Sequence, residues 1–246
     1  MSIALFSDIH ANREAFEACL SDARRRGASR FVLLGDYVGY GADPVWVLET
    51  VADLVAKGAV AVLGNHDAAV GTPDTAMNPV ATAALDWTRR QLGTVHKTFL
   101  KNLPLKVVEE GRLYVHANGW APGDWGYITS AVEAERSMRV APQQWTFCGH
   151  THVPALYHMS PQRPPGAFSP PPNKPVPLAA SRRWLAVLGS VGQPRDGNPA
   201  ACYGLLEHSP LCLTMVRVPY DAEAAARKVA AAGLPDSLGR RLLTGR

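Results

Sequence analysis

The sequence predicts an α/β (α+β) fold in which two stacked sheets are flanked by helices. Two observations carry this. In the first third, short apolar runs alternate with amphipathic helical stretches, which indicates a largely parallel sheet covered on both faces. Beyond Leu105 the character changes to short strand candidates separated by turn residues, with one helix intervening. Stacked sheets with helices outside satisfy that order.

The elements follow in turn. Ser2–Ser7 is an apolar strand run, and Arg13–Arg26 has helical spacing of Ala15, Phe16, Cys19, Leu20 and Ala23. Phe31–Leu34 and Ala59–Leu63 are the next buried runs, separated by a helix at Val45–Ala56 with Pro44 suited to its first turn. Asn78–Leu92 and Val95–Lys101 read as helices, with Asp74 or Asn78 as cap for the longer one. Strand candidates then fall at Lys106–Glu109, Arg112–His116, Thr146–Cys148, Ala155–His158, Arg183–Leu188, Cys202–Leu206 and Leu211–Val218. Ala131–Met138 is the intervening helix. Segment 160–177 is dense in proline and cannot donate to a central ladder, so it is expected as a locally extended surface excursion. A helical C-terminal tail is expected over 221–246, built from Ala222–Ala232 and Leu234–Leu243. No linker separates domains, so residues 1–246 are expected to form one domain.

Composition excludes several classes. The hydrophobic fraction of 47% and charged fraction of 19% are those of an ordinary globular protein. A net charge of +4 favours anionic partners, but Lys and Arg are scattered rather than gathered into a stripe, which argues against nucleic acid. Arg24, Arg25 and Arg26 end a helix, where cations suit the dipole. Cys19, Cys148, Cys202 and Cys212 lie in apolar contexts without paired spacing and read as buried free thiols in a reducing compartment. No secretory signal is visible, and no apolar stretch approaches the roughly 20 residues that cross a bilayer. A cytoplasmic location without membrane contact is expected.

Five polar clusters are more telling, most of them at the end of an apolar run. They are Asp8-Ile9-His10, Gly35-Asp36, Gly64-Asn65-His66-Asp67, His116, and Gly149-His150-Thr151-His152. Residues two apart on a strand share a face, so Asp8 with His10, and His150 with His152, are expected to approach one ion together. Glycines 35, 64 and 149 permit sharp turns. Carboxylate oxygen and imidazole nitrogen are the ligand types of first-row divalent metals, and two such ions about 3.5–4 Å apart clamp in-line displacement at phosphorus. Five of the eight histidines fall in these clusters, which leaves His96, His158 and His208 as structural or solvated.

In order and content the clusters resemble the pattern D-x-H, GD, GNH[DE], H, GHxH of the calcineurin-like metallophosphoesterase superfamily. The run Gly189-Ser190-Val191-Gly192-Gln193-Pro194-Arg195-Asp196-Gly197 is similar to its prokaryotic single-domain branch, which includes small phosphodiesterases and diadenosine-tetraphosphate hydrolases. The resemblance implies a four-layer α-β-β-α sandwich of two mixed sheets. It places Asp8, His10, Asp36 and His152 around one metal, and Asp36, Asn65, His116 and His150 around a second, with Asp36 bridging. It implies two divalent ions, Mn2+ first, with Fe, Zn, Ni or Co also suited to mixed nitrogen and oxygen ligands. Hydroxide held by the ions would attack phosphorus in line, with His66 as general acid for the leaving oxygen. The implied substrate is a small phosphodiester, dinucleoside polyphosphate or other nucleotide.

Two departures are visible. Where the protein-phosphatase branch has G-D-x-x-D-R, Gly39 and Tyr40 replace the second Asp and the Arg, which argues against a dedicated protein phosphatase. Leu188-Gly189-Ser190 stands where relatives often have Asn-Pro-Gly-Ser. Arg195 can grip a phosphate or pair with Asp196; Tyr37, Tyr40 and Trp120 can stack on a nucleobase or pack beneath the loops; Asn12 can orient His10. Other readings are a non-catalytic metal-binding scaffold of the same fold, a phosphomonoesterase, or a nuclease. The complete ligand set opposes the first, and the missing basic stripe opposes the last.

Overall fold

A computed structural model describes residues 2–72, 77–160 and 163–246. The chain runs β1 (Ser2–Phe6), α1 (Arg13–Arg25), β2 (Ala28–Leu33), α2 (Pro44–Ala56), β3 (Val60–Ala61), α3 (Asn65–Val70), α4 (Pro79–Gln91) and α5 (Thr94–Lys101). It continues through β4 (Lys106–Glu109), β5 (Arg112–Val115), α6 (Ala131–Val140), β6 (Trp145–Cys148), β7 (Ala155–Ser160), β8 (Arg163–Phe168) and β9 (Pro175–Pro177). Finally come β10 (Arg183–Val187), β11 (Ala201–His208), β12 (Leu211–Val218), α7 (Ala222–Ala231) and α8 (Asp236–Thr244).

The strands form two six-stranded sheets, ordered β3-β2-β1-β11-β12-β9 and β4-β5-β6-β10-β7-β8. Only β1, β2 and β3 form the parallel set that the first third predicts, and antiparallel β11, β12 and β9 complete their sheet; the second sheet joins parallel β5-β6-β10 to antiparallel β4, β7 and β8, so both sheets are mixed. Period-two alternation divides the apolar residues between layers. Ile3 and Leu5 of β1 point into the cluster between the sheets, with Tyr114, Phe147, Trp184 and Ala186 of the other sheet. Ala4 and Phe6 point the other way, onto Phe16, Leu20, Val47 and Leu48 of α1 and α2. Leu113, Val115, Leu185 and Val187 cover the far face with Ala134 and Met138 of α6. The result is the four-layer α-β-β-α sandwich.

Local chemistry explains the helix starts. Asn12 caps α1 by accepting from Ala15 N–H at 3.1 Å, and Asn78 caps α4 by accepting from Ala81 N–H at 3.0 Å. Asp74, the other candidate cap, lies outside the described residues. The proline-dense segment departs from expectation in part. It runs extended and largely exposed, but it also pairs, supplying the outermost strand of each sheet, β8 and β9. Proline is tolerated there because one side of an edge strand needs no N–H donor. Pro161 and Gln162 lie outside the described residues.

Candidate metal centre

All five clusters meet at one end of the two sheets. Parallel pairing of β1 with β2 sets Phe6 beside Leu33, so the loops after both strands leave together. Beyond the strands the loops continue to pair through their backbones. Asp8 N–H donates to Gly35 O (3.1 Å), His10 N–H to Asp36 O (2.9 Å), Ala11 N–H to Tyr37 O (2.7 Å), and Gly149 N–H to His116 O (2.8 Å). The turn at 189–192 braces the same place: Ser190 Oγ and Gly192 N–H both donate to Asp8 O, at 2.8 and 2.9 Å.

This bracing holds an unusual backbone. Asp8, His10, Asp36, His150 and His152 all have φ between 49 and 69°, in the left-handed region that side chains enter at about 1–3 kcal/mol each. Strand alternation therefore does not bring Asp8 to His10, or His150 to His152. These residues lie past the strand ends, and left-handed turns aim them inward. The glycines also act differently from expectation. Gly35 has φ 88°, whereas Gly64 and Gly149 are needed for space: a Cβ on Gly64 would overlap Asp36, and one on Gly149 would overlap Ser7 Oγ and Asp8 Oδ2. Gly149→Ala is thus expected to push the Asp8 carboxylate aside. It should lower unfolding free energy by about 1–3 kcal/mol and weaken metal uptake, read by urea titration and metal analysis.

Asp8, His10, Asp36, His116, His150 and His152 are buried, and Asn65 is half-buried. Three imidazoles have their tautomer dictated by a carbonyl. His10 Nδ1 faces Val38 O (3.0 Å), His116 Nδ1 faces Leu34 O (2.7 Å), and His152 Nδ1 faces Gln193 O (2.6 Å). A carbonyl only accepts, so each Nδ1 carries the hydrogen and each Nε2 presents a lone pair inward. His10 Nε2 and His152 Nε2 lie 3.1 Å apart, with Asp8 Oδ1 3.3 Å from the latter. On the other side, His116 Nε2 lies 3.0 Å from Asn65 Oδ1, 3.2 Å from His150 Nδ1 and 3.4 Å from Asp36 Oδ2. Asp8 Oδ1 has no hydrogen-bond partner among the described residues. Acceptors converging without donors suit cations. Three groups have ligand atoms close enough to share an ion: Asp8, His10 and His152; His10, Asp36 and His66; Asp36, His116 and His150.

Electrostatics agree. Burial alone would lower the His116 pKa, but the Asp36 and Asp8 carboxylates push it up to about 9. Burial and the His116 charge push His150 down to about 4. Against burial, His116 and His66 hold the Asp36 carboxyl well below the usual range. The carboxylates thus favour a positive charge at His116, while burial pushes His10, His66 and His150 toward the neutral form that ligates.

A family model described as the calcineurin-like phosphoesterase superfamily domain matches residues 1–209. The chain belongs to this superfamily. It is a phosphoric ester hydrolase. A crystal structure of a metallophosphoesterase from Sphaerobacter thermophilus superposes with a TM-score of 0.88 at 35% identity, covering 100% of this chain and 99% of that one. An uncharacterized protein of Methanocaldococcus jannaschii is 34% identical over 99% of this chain and 98% of its own length. A hypothetical protein of Pyrococcus horikoshii OT3 shares the fold, with a TM-score of 0.78, 19% identity, and coverage of 100% and 98%.

Within this calcineurin-like frame, His66 is held in its own way. Its backbone N–H donates to Asp36 Oδ1 at 2.9 Å, and its ring is 4.6 Å from that of Tyr40 and 4.9 Å from that of His10. Gly39 leaves no room for a carboxylate behind it, since even a Cβ would crowd His66 Nδ1, which is buried without a partner among the described residues. Asn12 does not orient His10; it caps α1 and donates to Gly192 O (2.8 Å), while Val38 O takes the orienting role. Tyr37 is fully buried with its hydroxyl 2.7 Å from Val62 O, and Trp120 lies under the Arg136 guanidinium, so both pack rather than stack on a base. Tyr40 is only 6% exposed and forms a wall beside His10 and His66. Asp196 pairs with Arg217, so it does not neutralise Arg195, which lies over Tyr40. His96, His158 and His208 are engaged away from the cage, the latter two facing Arg182 and Arg112.

Sequence reading assigned no role to three further features. Asp67 accepts from the backbone N–H groups of Asp36, Tyr37, Val38 and Gly64 at 2.8–3.2 Å, tying two cluster loops together. Asn118 pins the loop after His116 by donating to Gly126 O (3.0 Å). That loop presents Tyr127, 52% exposed and stacked on His150 at 4.1 Å. Asp67 had a sequence signal, being the acid that ends the GNH[DE] motif; the other two had none.

Proposed function

We propose that this phosphoesterase hydrolyses a small phosphodiester or a dinucleoside polyphosphate with two divalent cations bound. The meeting of two acceptor sets at Asp36 carries the reading. In it, Asp8, His10, Asp36 and His152 hold one cation, and Asp36, Asn65, His116 and His150 hold the other. When bound, the cations supply Lewis acidity and lower the pKa of the attacking water. The chain's own residues do the rest. Val38, Leu34 and Gln193 carbonyls keep His10, His116 and His152 in the tautomer that ligates. Asp67 keeps the Asp36 turn rigid, and His66 gives a proton to the departing oxygen. The exposed face of Tyr127 supports a nucleotide, because aromatic faces stack on bases. The protein is cytoplasmic in this reading, supported by four free, buried cysteines. Among the described residues no helix is long and apolar enough to cross a membrane.

The test is a substrate panel with manganese-loaded protein, products being separated by chromatography. Bis-p-nitrophenyl phosphate or diadenosine tetraphosphate should be hydrolysed at least about tenfold more efficiently than phosphomonoesters and phosphopeptides. Preference for a phosphopeptide, or inertness toward every ester, would overturn the reading.

A further inference from the structure

Two guanidinium groups at the edge of this site have no carboxylate within ion-pair distance among the described residues: Arg195 and Arg241. Asp196, next in sequence to Arg195, is taken by Arg217. Lys228, the cation nearest in kind on α7, is neutralised by Glu14 and Asp43. Arg195 is fixed in place. Its backbone N–H donates to His152 O at 3.3 Å, its Nη2 donates to Gln193 Oε1 at 2.9 Å, and its buried Nε has no partner among the described residues. Its guanidinium carbon lies 5.7 Å from the centre of the Tyr40 ring, which itself stands 4.6 Å from the ring of His66.

Arg241 stands on α8, one turn after Leu238 and next to Leu242. Leu238 and Leu242 of that helix pack in one cluster with Tyr40. Arg241 therefore borders the face of α8 that packs with Tyr40, the ring beneath Arg195. The helix is clamped to the loop that carries Arg195. Gly197 N–H donates to Gly245 O at 2.9 Å, and Gly245 lies so close to Asn198 that a Cβ would overlap its backbone. With φ 67°, Gly245 ends α8 at that contact. All of α8 lies beyond residues 1–209, which the family model covers.

We propose that Arg195 and Arg241 form an anion subsite beside the metal centre that holds the phosphate adjacent to the one attacked. Planar guanidinium forks match phosphate oxygens, and such bonds are roughly twice as strong as neutral ones. A simple diester has no second phosphate to place there; a polyphosphate chain does. The subsite therefore selects phosphoanhydride substrates. That substrate class rests on the reaction proposed above, whereas the anion subsite does not.

The probe is inorganic tripolyphosphate, titrated calorimetrically into the full chain in EDTA. Saturable binding is expected, with Arg195→Gln and Arg241→Gln each weakening it about tenfold and Arg241→Lys weakening it less. Absence of saturable binding by the unsubstituted chain, or binding by Arg241→Gln within about twofold of it, overturns the proposal. Arg241 is half-exposed on a helix surface, so its substitution decides the matter even where Arg195→Gln fails to fold. Hydrolysis is not read in EDTA, so the two readings fail separately. A chain that binds tripolyphosphate through these arginines yet cleaves no ester overturns only the proposed reaction. An active hydrolase without the binding difference overturns only the subsite.

Discussion

Asp36→Ala is expected to reduce kcat/KM by at least about 10³-fold and to cut bound metal by about half or more. Its carboxylate faces acceptors on both sides of the cage. Asp36 Oδ2 lies 3.7 Å from His10 Nε2 and 3.4 Å from His116 Nε2, while Oδ1 accepts the His66 N–H at 2.9 Å. Its loss therefore leaves acceptors on both sides facing one another without the shared negative charge. Asp36→Asn keeps an acceptor for His66 and so separates charge from shape; it should hold the fold by circular dichroism yet lose metal almost as fully. Metal analysis after gel filtration, with kinetics on the same samples, reads both. Undiminished metal content and activity in Asp36→Ala would remove Asp36 from the bridging position.

His66→Ala should behave differently. Metal content is expected to persist, because each acceptor set remains without it. Hydrolysis of esters with poor leaving groups should fall about 10²–10⁴-fold, the usual worth of a placed general acid. Activated aryl esters, whose oxygen departs without a proton, should lose far less. The reason is positional: His66 follows Asn65 and presents its ring to the same cavity as His10 and Tyr40. His66 also lies close enough to His10 and Asp36 to join them as a ligand. Loss of metal in His66→Ala would assign it that role, and equal losses on both ester types would remove it from proton transfer.

Much of the site is legible in the chain because ligand chemistry is local. Asp8, Asp36 and His116 each follow an apolar run, and glycine marks three of the five turns. Strand and helix order is legible for the same reason, since periodicity is carried by neighbours. What escapes is non-local. The left-handed backbone of Asp8 and His152 is imposed by bonds to distant loops, so strand alternation gives a false account of their convergence. Asp67 works entirely through backbone N–H groups, which leave no mark on the side chains it serves. Six-residue α3 is too short to show a period, and Tyr127 sits in a loop that has none. In the proline-dense segment β8 folds back on neighbouring β7, whereas β9 pairs with β12 far along the chain, and prolines hide both pairings from a reading of local residues.

The sheet margins have a consequence for how copies of this protein meet. Each sheet ends on one side in a strand carrying prolines, Pro164 and Pro165 in β8, Pro175 and Pro177 in β9. The opposite margins are the two-residue β3 and the short β4, which bears Lys106 and Glu109. A foreign strand arriving at any of the four finds missing donors, charge or too little length to zip against. Crowded at high concentration, the described sheet margins therefore disfavour cross-chain polymerisation.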